Sequence, residues 1–274
     1  MIIKKVVFKI VCLICVFLTN ISCDEKLKKV IDYHPNGNAH REYFIDENGL
    51  MQGKGIIYNQ EGDIESFVFF KNNKPMDSII NFKNNKISNI IILKDSCNLV
   101  KNFNNGVLET EGHLLNGQKI GYWNYYKNNQ KYKVIQFIDL CGKQYNNQGW
   151  VYNHKGELVT KGSNYFKIID KKDRYKKDEE FVFYVKYQSL WGDESMSNYA
   201  MSTKITNDFC NIRQVKLDSF TTQKHLLKFY YKFSEKGKKN IRGYIREYGF
   251  IEEVKNDFVF KERKVYFDIP VVIE

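Results

Sequence analysis

The feature that most constrains this chain is a turn signal that recurs along its first half at intervals of 21 to 26 residues. In each copy an aromatic residue is followed, three or four positions later, by a glycine or a polar turn residue. The Asn-Asn, Asn-Gly and Lys-Gly pairs in these copies tolerate the positive φ that tight hairpin turns require. The spacing therefore predicts a series of β-hairpins, and the six copies begin at Tyr33, Tyr58, Phe82, Phe103, Tyr126 and Tyr152.

The segments between these turns alternate with a period of two, which is typical of β-strands. A single two-stranded hairpin is marginally stable, but hairpins stacked edge to edge bury a continuous stripe of rings. A non-repetitive β-meander is the alternative that the pattern leaves open. The pairs expected to share a strand face are Phe67 with Phe69, Trp123 with Tyr125, and Ile135 with Phe137.

Two glycine-rich segments carry a resemblance to a known repeat family. They are Gly53-Lys-Gly55 and the stretch from Gly117 to Tyr126, which reads GQKIGYWNYY. Both resemble the MORN repeat, whose pattern is a glycine, then Gly-x-Trp, then Tyr and a glycine turn. The resemblance covers residues 33–163 and extends to bacterial MORN-variant proteins, many of which carry an antitoxin-type label. It implies an elongated, twisted antiparallel sheet that serves as a binding or spacing surface, and it implies no catalytic residues.

The first 22 residues have the character of a secretory signal peptide. A basic start at Lys4 and Lys5 precedes a short apolar run, which ends in small and polar residues. Ser22-Cys23 resembles a bacterial lipobox, which implies cleavage before Cys23 and lipidation of its thiol. The following Asp24-Glu25 resembles the export tag of some Bacteroidetes-type lipoproteins. The expectation is an outer-membrane lipoprotein with residues 23–32 as a tether; an ordinary secreted protein is the alternative.

The last third of the chain loses the repeat spacing. A charged segment at residues 164–178 is predicted to be a linker or boundary, and residues 179–274 are predicted to form an immunoglobulin-like β-sandwich. The fold class expected for the whole chain is all-β, an array of stacked antiparallel hairpins followed by this sandwich. The residues expected on inward strand faces are Phe181, Phe183, Val185, Tyr187, Phe229, Tyr231, Phe233, Val265, Phe267, Ile269 and Val271.

Charge and cysteine content narrow the classes of partner. The formal net charge is +11, but basic and acidic residues are interleaved, which fits codon drift in an AT-rich genome better than a nucleic-acid site. No nucleic-acid partner is therefore expected.

Outside the leader and Cys23, the remaining cysteines are Cys97, Cys141 and Cys210, which allow one disulfide with one thiol or three free thiols. No metal-binding spacing and no cofactor motif is present, so neither is expected.

Two acidic groups are candidate site residues. The run Trp191-Gly-Asp193-Glu194-Ser195 could bind a cation or a sugar, but acidic pairs are common in loops, so a solvated loop between strands is predicted. The pair Glu109 and Glu111 could mimic the carboxylates of a glycosidase, but no third partner is visible, so both are predicted to face solvent. No catalytic residue is therefore assigned.

The preferred hypothesis is a non-enzymatic envelope lipoprotein, held to the membrane through Cys23. Its tyrosine- and tryptophan-rich faces suit a protein or glycan partner. One alternative is a secreted, glycan-directed hydrolase whose carboxylates are separated in sequence but gathered in space. Another is an antitoxin-like neutralising protein, which is suggested by the family label alone.

Overall fold

The computed structural model describes residues 27–192, 195–222, 225–254 and 257–274, and within these ranges all side chains except those of residues 222 and 250–260. The predicted signal peptide and Cys23 lie outside the described residues. Within them the regular structure consists of β-strands, and no helix has the length and apolar content needed to cross a membrane. The chain divides into two compact units, one up to Asn85 and the other from Lys86 onward.

The first unit is a meander of five strands, each antiparallel to the next. The strands are β1 (Lys28–Tyr33), β2 (Ala39–Ile45), β3 (Met51–Tyr58), β4 (Ile64–Lys71) and β5 (Lys74–Lys83).

The second unit continues with an antiparallel array of nine strands and adds a smaller sheet. The array contains, in spatial order, β6 (Lys86–Ile92), β7 (Asn98–Asn104), β8 (Val107–Leu115), β9 (Gln118–Lys127), β10 (Gln130–Leu140), β11 (Lys143–Tyr152), β12 (Leu158–Ile169), β14 (Glu180–Gln188) and β17 (Leu226–Lys232). The smaller sheet contains β13 (Arg174–Tyr175), β19 (Asp257–Ile273), β18 (Gly237–Val254), β15 (Met196–Ser202) and β16 (Asp218–Thr222), again in spatial order. This sheet is mixed, because β13 runs parallel to β19.

The predicted turns are confirmed, and each of the six lies between two consecutive strands. Several are two-residue turns in which both residues have positive φ, the geometry that matches the twist of a hairpin. In other turns an acidic or amide side chain closes the loop, as where Asp46 Oδ1 accepts hydrogen bonds from the backbone N–H groups of Asn48 and Leu50, both at 2.9 Å. The turns with two positive φ values include Asn72-Asn73, Asn84-Asn85, Asn105-Gly106, Asn116-Gly117 and Asn128-Asn129.

The repeat period reappears as hydrogen bonds between neighbouring turns of one edge. In the first unit, Asn36 Nδ2 donates to Gln60 O at 2.8 Å, across 24 residues. In the second unit, Gln118 Nε2 donates to Gly142 O at 3.2 Å, also across 24 residues. Each hairpin thus holds the turn of the next one, which is how a repeat gains stability from its neighbour.

One face of the array in the second unit carries a core around Trp123, whose side chain is 1% exposed. The predicted pairs Trp123 with Tyr125 and Ile135 with Phe137 both lie on this face. The indole packs against Gly112, and the ammonium of Lys119 lies 4.2 Å from the ring centroid. The Trp123 Nε1–H is also satisfied, since it donates to His113 O at 3.1 Å.

At its far end the array forms one layer of a sandwich with the smaller sheet. The inward residues of β14 and β17 pack against those of β15, β18 and β19 in one continuous apolar core. Phe183, Val185, Val265 and Ile269 are fully buried there, as their strand faces predict. The all-β fold, a hairpin array followed by packed sheets, is thereby confirmed.

The hairpin array and the sandwich are not separate along the chain, because they share a strand. Strand β12, at Leu158–Ile169, runs without interruption from the predicted repeat region into the charged segment at 164–178. It then pairs with β14, so the array itself supplies one layer of the sandwich.

Candidate functional site

The residues singled out in the sequence are dispersed in the structure. Trp191 packs on Gly249, where an added Cβ would lie 2.3 Å from the ring, so this indole has a packing role. Asp193 and Glu194 lie outside the described residues. Ser195 belongs to a polar cluster between the two sandwich layers.

The pair Glu109 and Glu111 does not form a two-carboxylate site. Glu109 is exposed, whereas Glu111 accepts a hydrogen bond from Tyr126 Oη at 2.5 Å and lies 3.9 Å from Lys101 Nζ. Partial burial together with the Glu111 carboxylate raises the pKa of Tyr126 to about 12. Glu111 is therefore a cross-strand partner of Tyr126 rather than one member of a glycosidase pair.

The most concentrated polar group in the described structure surrounds Glu247, which is 0% exposed. Its Oε2 accepts a hydrogen bond from Tyr187 Oη at 2.7 Å. Its Oε1 accepts from Ser189 Oγ and from the Leu190 N–H, the latter at 3.1 Å. Tyr187 belongs to β14 and Glu247 to β18, so this carboxylate joins the two layers of the sandwich.

His225 extends the same cluster and is itself buried. Its Nδ1 lies 3.0 Å from Ser197 Oγ, and its Nε2 lies 3.3 Å from both Ser195 Oγ and Gly192 O. We call the six residues involved the Glu247 cluster: Tyr187, Ser189, Ser195, Ser197, His225 and Glu247.

The geometry of this cluster differs from that of a serine-hydrolase relay. In such a relay the imidazole lies between the nucleophilic hydroxyl and the carboxylate. Here Ser195 Oγ lies 3.3 Å from Glu247 Oε1, while His225 Nδ1 faces the hydroxyl of Ser197 instead of a carboxylate. The hydrogen bonds that the buried Glu247 carboxylate accepts satisfy its oxygen atoms. The cluster therefore links the two layers through polar contacts.

The electrostatics of Tyr187 follow from the same contacts. Burial and the neighbouring Glu247 carboxylate raise the pKa of the phenol far above its ordinary value. The proton stays on Tyr187, where it is needed for the hydrogen bond to Glu247.

A second site lies between the array and β19 of the smaller sheet. This cleft has a volume of about 390 Å³, and we call it the aromatic wedge. Its walls come from β9, β10 and β11 of the array, from β19, and from the loop between β15 and β16. The residues that define it are Tyr122, Gln136, Trp150, Phe209, Tyr266 and Asp268.

Three rings form a row beside the wedge, and the first two of them, Tyr122 and Trp150, line it. The centroids of Tyr122 and Trp150 are 5.7 Å apart, and Trp150 stacks on Tyr165 at 5.8 Å. Exposure falls along the row, from 56% at Tyr122 to 8% at Tyr165. The outer ring therefore faces solvent, while the inner rings pack behind it.

A β-bulge builds the floor of the wedge. The register of β10 and β11 shifts at Asn147, which turns its side chain toward β19. Asn147 Oδ1 accepts from the Tyr266 N–H at 2.7 Å, and its Nδ2 donates to Tyr266 O and to Gln136 Oε1, both at 2.9 Å. The Asn147 amide thus pairs with the backbone N–H and C=O of Tyr266, as a neighbouring strand would, and holds β19 against the array.

A disulfide fixes the opposite wall. Cys141, in the turn between β10 and β11, is bonded to Cys210, and Cys97 is a free thiol. The neighbouring Phe209 packs edge-on against Tyr266 at a centroid distance of 5.2 Å. The loop between β15 and β16 is thereby tied to the array beside the wedge.

Sequence reasoning missed both sites, and only the Glu247 cluster left a signal. Glu247 lies on the same face of its strand as Ile241 and Ile245, because side chains alternate with a period of two. The sequence therefore indicates a carboxylate on an inward face. Asn147 carried no such signal, because the bulge that aims it depends on pairing with β10.

The histidines show no metal site in the described part of the chain. His34 and His40 approach to a ring-centroid distance of 4.3 Å across the first hairpin, and His34 Nε2 lies 3.0 Å from Tyr58 O. No group of three His, Cys, Asp or Glu side chains in the described ranges is placed to hold a metal ion.

Comparison of the chain with protein-family models, with curated proteins and with solved structures finds no match.

Proposed function

We propose that this protein is a non-enzymatic, lipid-anchored binding protein of the cell envelope, and that the aromatic wedge takes a glycan. The observation that carries the proposal is the row of Tyr122, Trp150 and Tyr165, which is exposed at one end and buried at the other. Binding sites combine apolar and aromatic walls with a few polar groups that fix orientation.

The polar groups of the wedge suit a ligand rich in hydroxyl groups. The Gln136 amide and the Asp268 carboxylate both line the cleft beside the rings. The amide can donate to and accept from hydroxyls, and the carboxylate can accept from them. Tyrosine and tryptophan offer large ring surfaces at low cost in conformational entropy. An oligosaccharide presents both kinds of surface.

The proposed location is supported by two independent features. One is the charged start, apolar run and Cys23 of the leader, which resembles a lipobox. The other is the Cys141–Cys210 disulfide, since such bonds persist in oxidising compartments such as the periplasm and the cell surface.

The proposed absence of catalysis is supported by the Glu247 cluster. Its carboxylate is fully buried and already accepts hydrogen bonds from Tyr187, Ser189 and the Leu190 N–H. A general acid or base must reach the substrate, and Glu247 is placed to join layers instead.

We also infer that the array is of the MORN-like type. The repeat of hairpins supports this, as does the close packing of Trp123 on Gly112 and of Phe70 on Gly55.

The test is binding of the full chain to a panel of neutral and acidic oligosaccharides. We expect Tyr122→Ala to weaken binding of any positive oligosaccharide by tenfold or more, since truncated aromatic anchors typically cost above 1 kcal/mol. Tyr132→Ala is the matched control, because that tyrosine is also exposed but lies outside the wedge. The proposal fails if the wild-type chain binds none of the panel, or if both variants lose binding equally.

A further inference from the structure

The outer side of the sandwich layer formed by β12, β14 and β17 carries more positive than negative charge. Among the described residues of this layer, its one outward carboxylate is that of Glu180, which is hydrogen-bonded to Tyr230. Its outward lysines are Lys167, Lys186, Lys228 and Lys232. Along β14, Phe183 and Val185 point into the core, while Tyr184 and Lys186 point outward. The same alternation in the two neighbouring strands places their outward residues on one surface. We call this surface the lysine face: Lys167, Ile169, Tyr184, Lys186, Lys228 and Tyr230.

The register brings the lysines of this face together. Lys167 lies directly opposite Lys186, and Lys228 lies opposite Tyr184, one pair further along. Like charges in directly opposed positions destabilise a sheet. Within the described side chains, none of these three lysines forms an ion pair. The ammonium groups of Lys167 and Lys186 therefore repel each other in the folded protein, and an anionic partner would reduce this repulsion.

The same surface also exposes apolar side chains. Ile169, Leu226 and Tyr230 are all exposed, and they stand among the lysines. Their exposure contrasts with the inward side of the same strands, where the apolar residues are buried. A partner that covers this face must satisfy both positive charge and apolar surface.

We propose that the lysine face docks on the surface of a bilayer containing anionic phospholipids. Lysines near such a surface each gain about 1 kcal/mol from the negative lipid headgroups. Tyrosine rings sit favourably at the headgroup level, and aliphatic side chains gain by entering the acyl boundary. Ile169 and Leu226 favour a bilayer over an anionic polysaccharide, because a polysaccharide offers no apolar layer for them.

This inference adds a second contact surface to the binding protein proposed above and does not involve the wedge. A chain docked in this way would lie with the outer face of β12, β14 and β17 against the membrane.

The experiment is an amine-acetylation footprint of the full chain, read by mass spectrometry. The chain is labelled on vesicles of phosphatidylcholine and on vesicles that also contain phosphatidylglycerol. We expect acetylation of Lys167, Lys186 and Lys228 to slow by about fivefold on the anionic vesicles only, on the order of the gain for one lysine at an anionic surface. Lys127, Lys143 and Lys155 are exposed lysines of the array outside this face and serve as internal controls that should not change.

A variant series separates docking from general charge attraction. Replacing Lys167, Lys186 and Lys228 by Gln should abolish the slowing of acetylation at Lys232, the exposed lysine of β17 that remains on this side. The same change at Lys127, Lys143 and Lys155 should leave the slowing at Lys232 intact. Tyr122→Ala should keep the footprint even if it abolishes oligosaccharide binding, so the two proposals fail separately.

Three results would overturn the inference. They are equal labelling on both kinds of vesicle, equal slowing at face and control lysines, and protection of the face by dextran sulfate without protection by anionic vesicles. The last result would assign the face to a soluble polyanion.

Discussion

The indole of Trp123 occupies the space that a side chain at Gly112 would need: a Cβ added there would lie 2.4 Å from the ring. The same relationship recurs in the first unit, where a Cβ at Gly55 would lie 2.7 Å from the Phe70 ring. The array thus packs an aromatic residue of one strand over a glycine of its neighbour. This pairing explains why glycine and aromatic residues recur together in the repeat.

Substitution of Gly112 by alanine should destabilise the second unit by about 1–3 kcal/mol, the usual cost of overpacking a core. Urea unfolding followed by tryptophan fluorescence and circular dichroism would measure the loss. The control is the double variant with Trp123→Ala, in which the added methyl group no longer meets the ring. A double variant that loses the sum of the two single effects would contradict the contact.

Trp123→Ala should cost about 3–5 kcal/mol, because it removes a fully buried aromatic side chain from the array core. Its neighbour Tyr122 points to the other face and is 56% exposed, so Tyr122→Ala should cost well under half as much. Comparison of the two denaturation midpoints tests which face of β9 carries the core. Equal losses would mean that the assignment is wrong.

Stability should fall as the pH rises above about 10. The pKa of Tyr187 is raised from 10.0 by burial and by Glu247, so the folded state keeps a proton that the unfolded state releases. This contribution is complete below the unfolded value and is lost progressively above it. Urea midpoints between pH 8 and pH 11 should therefore decline less steeply in Tyr187→Phe than in the wild type, with the exposed Tyr33→Phe as the control. An identical slope in all three proteins would exclude Tyr187 as a source.

Removal of the Cys141–Cys210 disulfide should destabilise the second unit by about 2–4 kcal/mol, since the bond closes a loop between residues 69 apart. The double variant Cys141→Ser with Cys210→Ser should show this loss under oxidising conditions, and a reductant should lower the midpoint of the wild type alone. Cys97→Ser is the matched control because that thiol is free. The double variant should also bind oligosaccharide more weakly, since Phe209 next to the bond lines the wedge.

Lipidation of Cys23 predicts a modified N-terminus. Mass spectrometry of the membrane-extracted protein should find a first peptide that begins at Cys23 and carries a diacylglycerol group. The Cys23→Ala variant should lack that mass and should not be cleaved at this position. An unmodified peptide that begins at Met1 in the wild type would refute both the anchor and the export.

Structural features that depend only on residues close in sequence can be predicted from the sequence. The turn at Asn128-Asn129 could be anticipated because positive φ at two successive residues is a local property of those side chains. The alternation of β14 could be anticipated for the same reason. Which face is buried is not a local property: β4 buries Val68 and leaves Phe69 exposed, a choice that depends on neighbouring strands and not on hydrophobicity alone.

The candidate sites depended on contacts between distant residues. Glu247 meets Tyr187 across 60 residues, and Asn147 meets Tyr266 across 119. No local pattern specifies such pairs, because they form only when the smaller sheet packs on the end of the array. The wedge likewise forms only when β19 and the loop between β15 and β16 lie against the array.

The amino-acid sequence by itself determined the strands, the turns and the hairpin repeat of this protein, since backbone φ preferences and a period of two act over a few residues. The tertiary structure alone decided that the array becomes one layer of a sandwich, that Glu247 joins the layers, and that Tyr122 remains exposed beside a cleft. The physical reason is the distance in sequence over which each effect acts. Turn conformation depends on a few adjacent residues, whereas burial of a side chain depends on which distant segment of the chain covers it.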